Sequence, residues 1–245
     1  MEQKVYIYGT HAVKEALKAR PEVVQKIFIA DSVKDAELQT LIAAKKIATK
    51  PFTGSGPLGR DATHQGIIAL IDTNKLVISF DAFRKTLISS PDTALVLLGE
   101  IEDPHNVGAI IRSAAAFGAA AVLIPEHRQA PVTGAVIKVS AGMAFRIPLV
   151  SIGNVNDTIR KLKDDGFWMY GLSGRGTQEL HKEEFEKPSV FIVGNEGAGI
   201  REKTEELCDI MLKIPMHSRT ESLNASVSTA VALYDWSVKH KQALG

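Results

Sequence analysis

Asp103-Pro104-His105-Asn106-Val107-Gly108-Ala109-Ile110-Ile111-Arg112-Ser113 is the stretch on which the reading of this chain turns. Residues 94–98 before it and 121–124 after it are unbroken apolar runs, the pattern of strands covered by helices on both faces of a parallel sheet. Between them, residues 107–117 are apolar and alanine-rich up to Gly118, which predicts a helix opening at the carboxyl end of a buried strand. Open α/β sheets take their ligands there. Asn106 stands where an N-cap would stand. Gly108 permits close approach to the helix start. Arg112 is polar in an apolar helix, and helical side chains lean toward the N-terminus, so its guanidinium can reach back to the loop. A helix N-terminus beneath a guanidinium suits a phosphate. The plainer alternative is that Asn106 only caps and Arg112 only pairs with a carboxylate.

Two more loops have this character. Gly194-Asn195-Glu196-Gly197-Ala198-Gly199 follows an apolar run at residues 190–193. It lacks the Lys-Ser/Thr of a phosphate-binding P-loop, and its glycine spacing departs from the dinucleotide fingerprint, which argues against a nicotinamide dehydrogenase. Glu196 reads either as a functional acid or as a first-turn acid complementing a helix dipole. The third loop runs from Ile214-Pro215-Met216 to Ser222-Leu223-Asn224-Ala225-Ser226 and leads into a helix over residues 223–239, with small residues at Ala225, Ser226, Ser228, Ala230 and Ala232. Ser222 is a possible cap for that helix.

The rest of the chain bounds the answer. Its 245 residues suit one large domain or two modest ones. No run approaches the roughly 20 apolar residues of a membrane helix, and nothing resembles a signal peptide. One cysteine, Cys208, cannot form an internal disulfide, which predicts a reducing, cytoplasmic setting and a small buried hydrophobe at that position. The seven histidines show no zinc spacing, so no metal is expected; His64, His105 and His217 read as loop or surface residues. Net charge is +1, so a nucleic-acid footprint would be a local patch, not a global field. Residues 1–72 alternate strands (5–8, 24–30, 66–71) with helices (11–19, 35–48). The second helix is read with Leu38, Leu41, Ile42 and Ala48 inward, and a Gly/Pro loop spans residues 53–60. We read a small α/β domain at 1–72, a linker at 73–92 with an element not placed, and a second α/β domain at 93–245. Its later elements are strands at 167–172, 190–193 and 211–214 and a helix at 156–164.

Together the three loops resemble the three motifs of the SpoU class of RNA ribose methyltransferases, and Tyr8-Gly9-Thr10-His11-Ala12-Val13 with His64-Gln65-Gly66-Ile67 resembles the substrate-binding domain of the 23S rRNA guanosine 2′-O-methyltransferases in that class. The resemblance spans nearly the whole chain. It implies a C-terminal trefoil-knotted parallel-sheet domain with a small N-terminal α/β RNA-binding domain, S-adenosylmethionine as donor, 23S rRNA as substrate, and a homodimer. It implies that Asn106, Arg112, Glu196, Ser222 and Asn224 form the reaction centre and that Gly194, Ile214, Met216 and Leu223 line the cofactor pocket. Arg112 then either takes the 2′-hydroxyl proton itself or grips the adjacent phosphate that does; free arginine, with a pKa above about 12, is a poor base. Lys14, Lys18, Arg20 and Arg60 are candidate phosphate contacts. The chain departs from the family at His217-Ser218-Arg219, where a small residue often follows the methionine. Two alternatives remain: a transfer-RNA ribose methyltransferase, and a non-catalytic RNA-binding partner of the ribosome.

Overall fold

The computed structural model describes residues 4–53 and 65–245. Arg60, His64 and most of the Gly/Pro loop lie outside the described residues. The first unit is β1 (Lys4–Tyr8), α1 (Thr10–Ala19), β2 (Val24–Ile29), α2 (Ala36–Lys45), β3 (Thr49–Pro51) and β4 (Ile67–Asp72). They form a four-stranded sheet of order β1-β4-β2-β3, antiparallel except for the β2–β3 pair. Val13, Ala16 and Leu17 of α1 are buried, as the periodicity predicts. The helix expected to reach Ala48 stops earlier. Lys46 adopts a left-handed conformation (φ 52°) and ends α2. Ala48 instead sits beside β2, its carbonyl accepting from the Ile27 amide at 2.9 Å. Leu38 and Ile42 do face inward.

The second unit contains β5 (Val77–Ser79), α3 (Phe80–Arg84), β6 (Ala94–Gly99), α4 (Pro104–Ala116), β7 (Ala121–Pro125), α5 (Gly134–Val139) and β8 (Leu149–Ile152). It continues with α6 (Val155–Asp164), β9 (Trp168–Leu172), β10 (Gln178–Glu179), β11 (Ser189–Gly194), α7 (Glu202–Glu205), β12 (Ile210–Lys213) and α8 (Ala225–Lys239). All eight strands pair in parallel, in the order β10-β12-β9-β11-β6-β7-β8-β5. Residues 73–92 are therefore more than a linker, because β5 pairs with β8 at the sheet edge. β8 and α5 escaped the sequence reading: one is four residues long, the other six, too short for periodicity to register.

The first loop folds differently from the expectation. The helix begins at Pro104, whose ring presets φ and whose missing N–H would be unpaired there anyway. Asp103, not Asn106, is the cap: its carboxylate accepts from the His105 amide at 2.8 Å. Asn106 is thereby freed from capping and lies buried in the first turn. Gly108 is also occupied, since a Cβ there would stand 2.7 Å from Val139 and 2.8 Å from the Val136 carbonyl. Its role is to let α5 pack on α4. Ser222 is likewise not a cap; Asn224 caps α8, accepting from the Ser226 amide at 2.8 Å.

The two units share a seam. Gly134 lies so close to β1 that a Cβ would meet the Tyr6 carbonyl oxygen at 2.2 Å. His11 Nε2 is 3.0 Å from the Ala141 carbonyl, and Lys138 sits 4.7 Å from the Tyr8 ring centroid. Arg146 pairs with Glu15, which is buried on α1. The Arg146 guanidinium holds the Glu15 carboxyl below the usual carboxylate range, against the opposing effect of burial. A depressed folded-state pKa means that this stabilisation is complete above the unfolded value and lost as pH falls through the folded one. We therefore expect Arg146→Ala to cost about 1–2 kcal/mol at neutral pH, less than a fully buried pair because Arg146 is half exposed. Chemical denaturation should show the difference shrinking once the pH is low enough to protonate Glu15; a cost equal at all pH values would exclude the ion pair as its source.

Candidate active site

β6 and β11 are neighbours, paired up to Gly99 opposite Gly194, and the chain leaves them in opposite directions across the sheet. This is the switch point at which such sheets form their ligand crevice. The backbones crowd there: a Cβ on Gly194 would fall 2.3 Å from the Gly199 carbonyl carbon and the Ile200 nitrogen. Only glycine allows the second loop to fold back over its own strand, where Asn195 and Gly199 exchange backbone hydrogen bonds of 3.0 and 2.9 Å. Asn195 ties this loop to the first one, its Nδ2 donating to the Glu100 carbonyl at 2.9 Å, and Arg201 binds the Glu100 carboxylate at 2.8 Å.

The three loops meet through a chain of side chains. Asn106 Nδ2 donates to Glu196 Oε1 at 2.9 Å, and Asn224 Nδ2 donates to Asn106 Oδ1 at 2.9 Å. Asn224 Oδ1 in turn accepts from the Ser226 hydroxyl at 2.6 Å. Glu196 is not a first-turn acid, since α7 starts six residues later; its carboxylate instead faces Asn106 and, at 3.5 Å, the Glu102 and Asp103 amides at the start of α4. One residue from each loop is thus locked to the next.

Beside this chain opens a cavity of about 670 Å³, within the range of small-molecule sites. Gly194, Glu196, Ile214, Met216, Ser222, Leu223 and Asn224 line it. Asn106 lies behind the wall, reaching the cavity only through Glu196 and Asn224. Arg112 does not line it. Six residues beyond Asn106, at about 100° per residue, it points roughly 120° away around the helix. It is exposed, and among the described residues it has no hydrogen bond or ion pair, so the pairing with a carboxylate is not found. Sequence reasoning missed the loop after β9, where Leu172, Ser173, Gly174 and Arg175 complete the wall. Its only signal was a pair of glycines, Gly174 and Gly176, following a strand. Lys14, Lys18 and Arg20 are engaged with Asp35, Glu37 and Glu22, so the N-terminal cations expected to meet phosphate are already paired with carboxylates.

Comparison with known proteins now decides the family. The profile of the SpoU rRNA Methylase family matches residues 93–234, more than half the chain, and that of the RNA 2′-O ribose methyltransferase substrate binding family matches residues 6–77. The chain belongs to the SpoU methylase family. It is 36% identical over 249 residues to the 23S rRNA (guanosine-2′-O-)-methyltransferase RlmB of Pseudomonas putida, covering 99% of both chains. With the RlmB of Photobacterium profundum it shares 36% identity over 241 residues, 96% of this chain and 98% of that one. The fold is that of the SpoU methyltransferase AviRb from Streptomyces viridochromogenes, solved in complex with AdoMet: TM-score 0.83 at 20% identity, covering 98% of this chain and 91% of that one. The likeness to AviRb thus extends over both units, and the three sequence loops of the SpoU resemblance are the three joined by side chains beside the cavity.

Proposed function

We propose that this chain transfers a methyl group from S-adenosylmethionine to the ribose 2′-hydroxyl of a guanosine in 23S rRNA. The observation that carries the reading is identity of 36% over 99% of both chains with an enzyme named for that reaction. The cavity's chemistry fits the donor. Leu172, Val193, Ile214 and Leu223 give an apolar slot for a purine and a thioether carbon chain, and Glu196, Glu205 and Glu221 give negative charge around a cation. Bound there, S-adenosylmethionine supplies a methyl group already activated by its sulfonium. The protein's share of the work is to align the hydroxyl and assist departure of its proton. Glu196, Asn106 and Asn224 fix the cavity wall, and Ser222, whose hydroxyl has no partner among the described residues, stands at its rim. Arg112 grips the phosphate beside the reacting ribose, which takes or relays the proton.

The placement of Arg112 supports an active homodimer. Val227, Val231, Tyr234 and Val238 are exposed along α8 at helical spacing, one stripe of large apolar side chains. α4, with exposed Arg112, packs against α8, and Phe117 meets Tyr234 edge-on at 5.9 Å. A second copy on this surface covers the stripe and brings Arg112 of one protomer to the other's cavity. Val231→Glu is expected to convert the dimer to monomer in sedimentation and to remove activity, while a monomer with full activity would refute the shared site.

Residues 1–72 form the RNA-binding domain in this reading and 93–245 the catalytic one, with a trefoil-knotted path and with β5 joined to its sheet. The enzyme works in the cytoplasm; burial pushes the Cys208 thiol up to about 12, so it is inert there. The test is label transfer from S-adenosylmethionine to unmodified 23S rRNA and, separately, to bulk transfer RNA. Label in 23S rRNA supports the reading. Label in transfer RNA alone overturns the substrate, and label in neither overturns the activity.

A further inference from the structure

The reading above leaves one polar feature of the cavity unused. Three acids line it, Glu196, Glu205 and Glu221, but only one base, Arg175. Glu196 is held by Asn106, whereas Arg175 pairs with none of the three: among the described residues its guanidinium has no partner, and its only hydrogen bond is from its backbone amide to Ser173 Oγ at 3.2 Å. A lone guanidinium facing a predominantly acidic cavity without closing on an acid is placed for an anionic group brought by the ligand.

The backbone that carries it is built tightly. The Ser173 amide donates to the Leu212 carbonyl at 3.0 Å, and the Gly176 amide to the Ser173 carbonyl at 3.0 Å. A Cβ on Gly176 would stand 2.5 Å from the Leu212 carbonyl carbon, so the turn is pressed against β12. Gly174 lies beside the third loop, its Cβ position 3.7 Å from the Glu221 carbonyl oxygen. Arg175 and Glu221 therefore come from adjoining backbones at one end of the cavity, and each is exposed. A positive and a negative side chain on adjoining backbones, neither paired among the described residues, match a zwitterion.

We propose that Arg175 binds the carboxylate, and Glu221 the ammonium group, of the amino-acid tail of the cofactor. The inference rests on the cofactor assignment made above. It makes Arg175 a binding residue that selects for the amino-acid half of the ligand, while the apolar slot takes the adenosine half.

Calorimetry on the intact protein separates the two halves without turnover. S-adenosylhomocysteine carries the amino-acid tail, and 5′-methylthioadenosine has the same adenosine and thioether without it. Arg175→Ala is expected to weaken S-adenosylhomocysteine by 10-fold or more and to change 5′-methylthioadenosine less than 2-fold, with Arg175→Lys in between. Glu221→Gln is expected to act in the same direction on the same ligand alone. Unchanged S-adenosylhomocysteine affinity in Arg175→Ala overturns the proposal, as does equal loss for both ligands, which would mean a deformed cavity. Failure of the unsubstituted protein to bind either ligand overturns the cofactor assignment itself.

Discussion

Arg112→Ala is expected to lower kcat by roughly 10²–10⁴-fold, the range for losing a group that stabilises charge or assists proton transfer in the transition state. Stability should barely change. Arg112 is exposed and makes no hydrogen bond or ion pair among the described residues, so its removal leaves nothing unsatisfied in the fold. Cofactor affinity should also hold, because the residue does not line its own chain's cavity. Arg112→Lys keeps the charge but not the planar fork that grips a phosphate on two oxygens, and should recover only a small part of the rate. Near-full turnover by the lysine variant would remove both the base and the phosphate-clamp roles. The shared site gives a sharper form of the same expectation. Arg112→Ala and Asn224→Ala protomers, each inactive alone, should regain activity when mixed, since a mixed dimer holds one intact cavity facing one intact arginine.

Asn106→Ala should damage both stability and rate. Asn106 is buried and connects two loops, donating to Glu196 and accepting from Asn224, each at 2.9 Å. Truncation leaves a carboxylate and an amide without their partner at the cavity wall, a cost of about 1–3 kcal/mol. For a chain of this size that is a fall in Tm of several degrees. Displacement of the wall by about 1 Å is enough for a further loss near 10²-fold in kcat. Asn106→Asp should be worse, because its carboxylate would face Glu196. Thermal unfolding and steady-state rates measured on the same preparations check this. A rate loss with unchanged Tm would mean that Asn106 acts on the reaction directly, not by holding the loops.

Much of this site was legible in the sequence because its residues are strange in place. An arginine in an alanine-rich helix, and asparagine and glutamate beside glycines at strand ends, have weak structural reasons to be there. Their assignment nevertheless came from the resemblance; spacing alone left capping and ion pairing open for Asn106, Arg112 and Ser222. For Asn106 one proline decides the case. Pro104 starts α4 earlier, Asp103 takes the cap, and Asn106 turns sideways to become the joint of three loops. What stayed illegible depends on distance in the chain. Arg175 is some 20 residues from any recognised loop and reaches the cavity only because β9 lies two strands from β6. Gly108 offered space, but sequence could not say that α5, rather than a phosphate, fills it. Lys14 and Lys18 were read as free cations because Asp35 and Glu37 lie on a different helix boundary, brought near by packing alone.

The most direct test of the central claim is nucleoside analysis of 23S rRNA after incubation of the unmodified RNA with the purified protein and S-adenosylmethionine. The account predicts 2′-O-methylguanosine at one position, absent when the Arg112→Ala protein is used. A methyl group on a base, or on the ribose of another nucleotide, or no new methylated nucleoside in 23S rRNA, would contradict it.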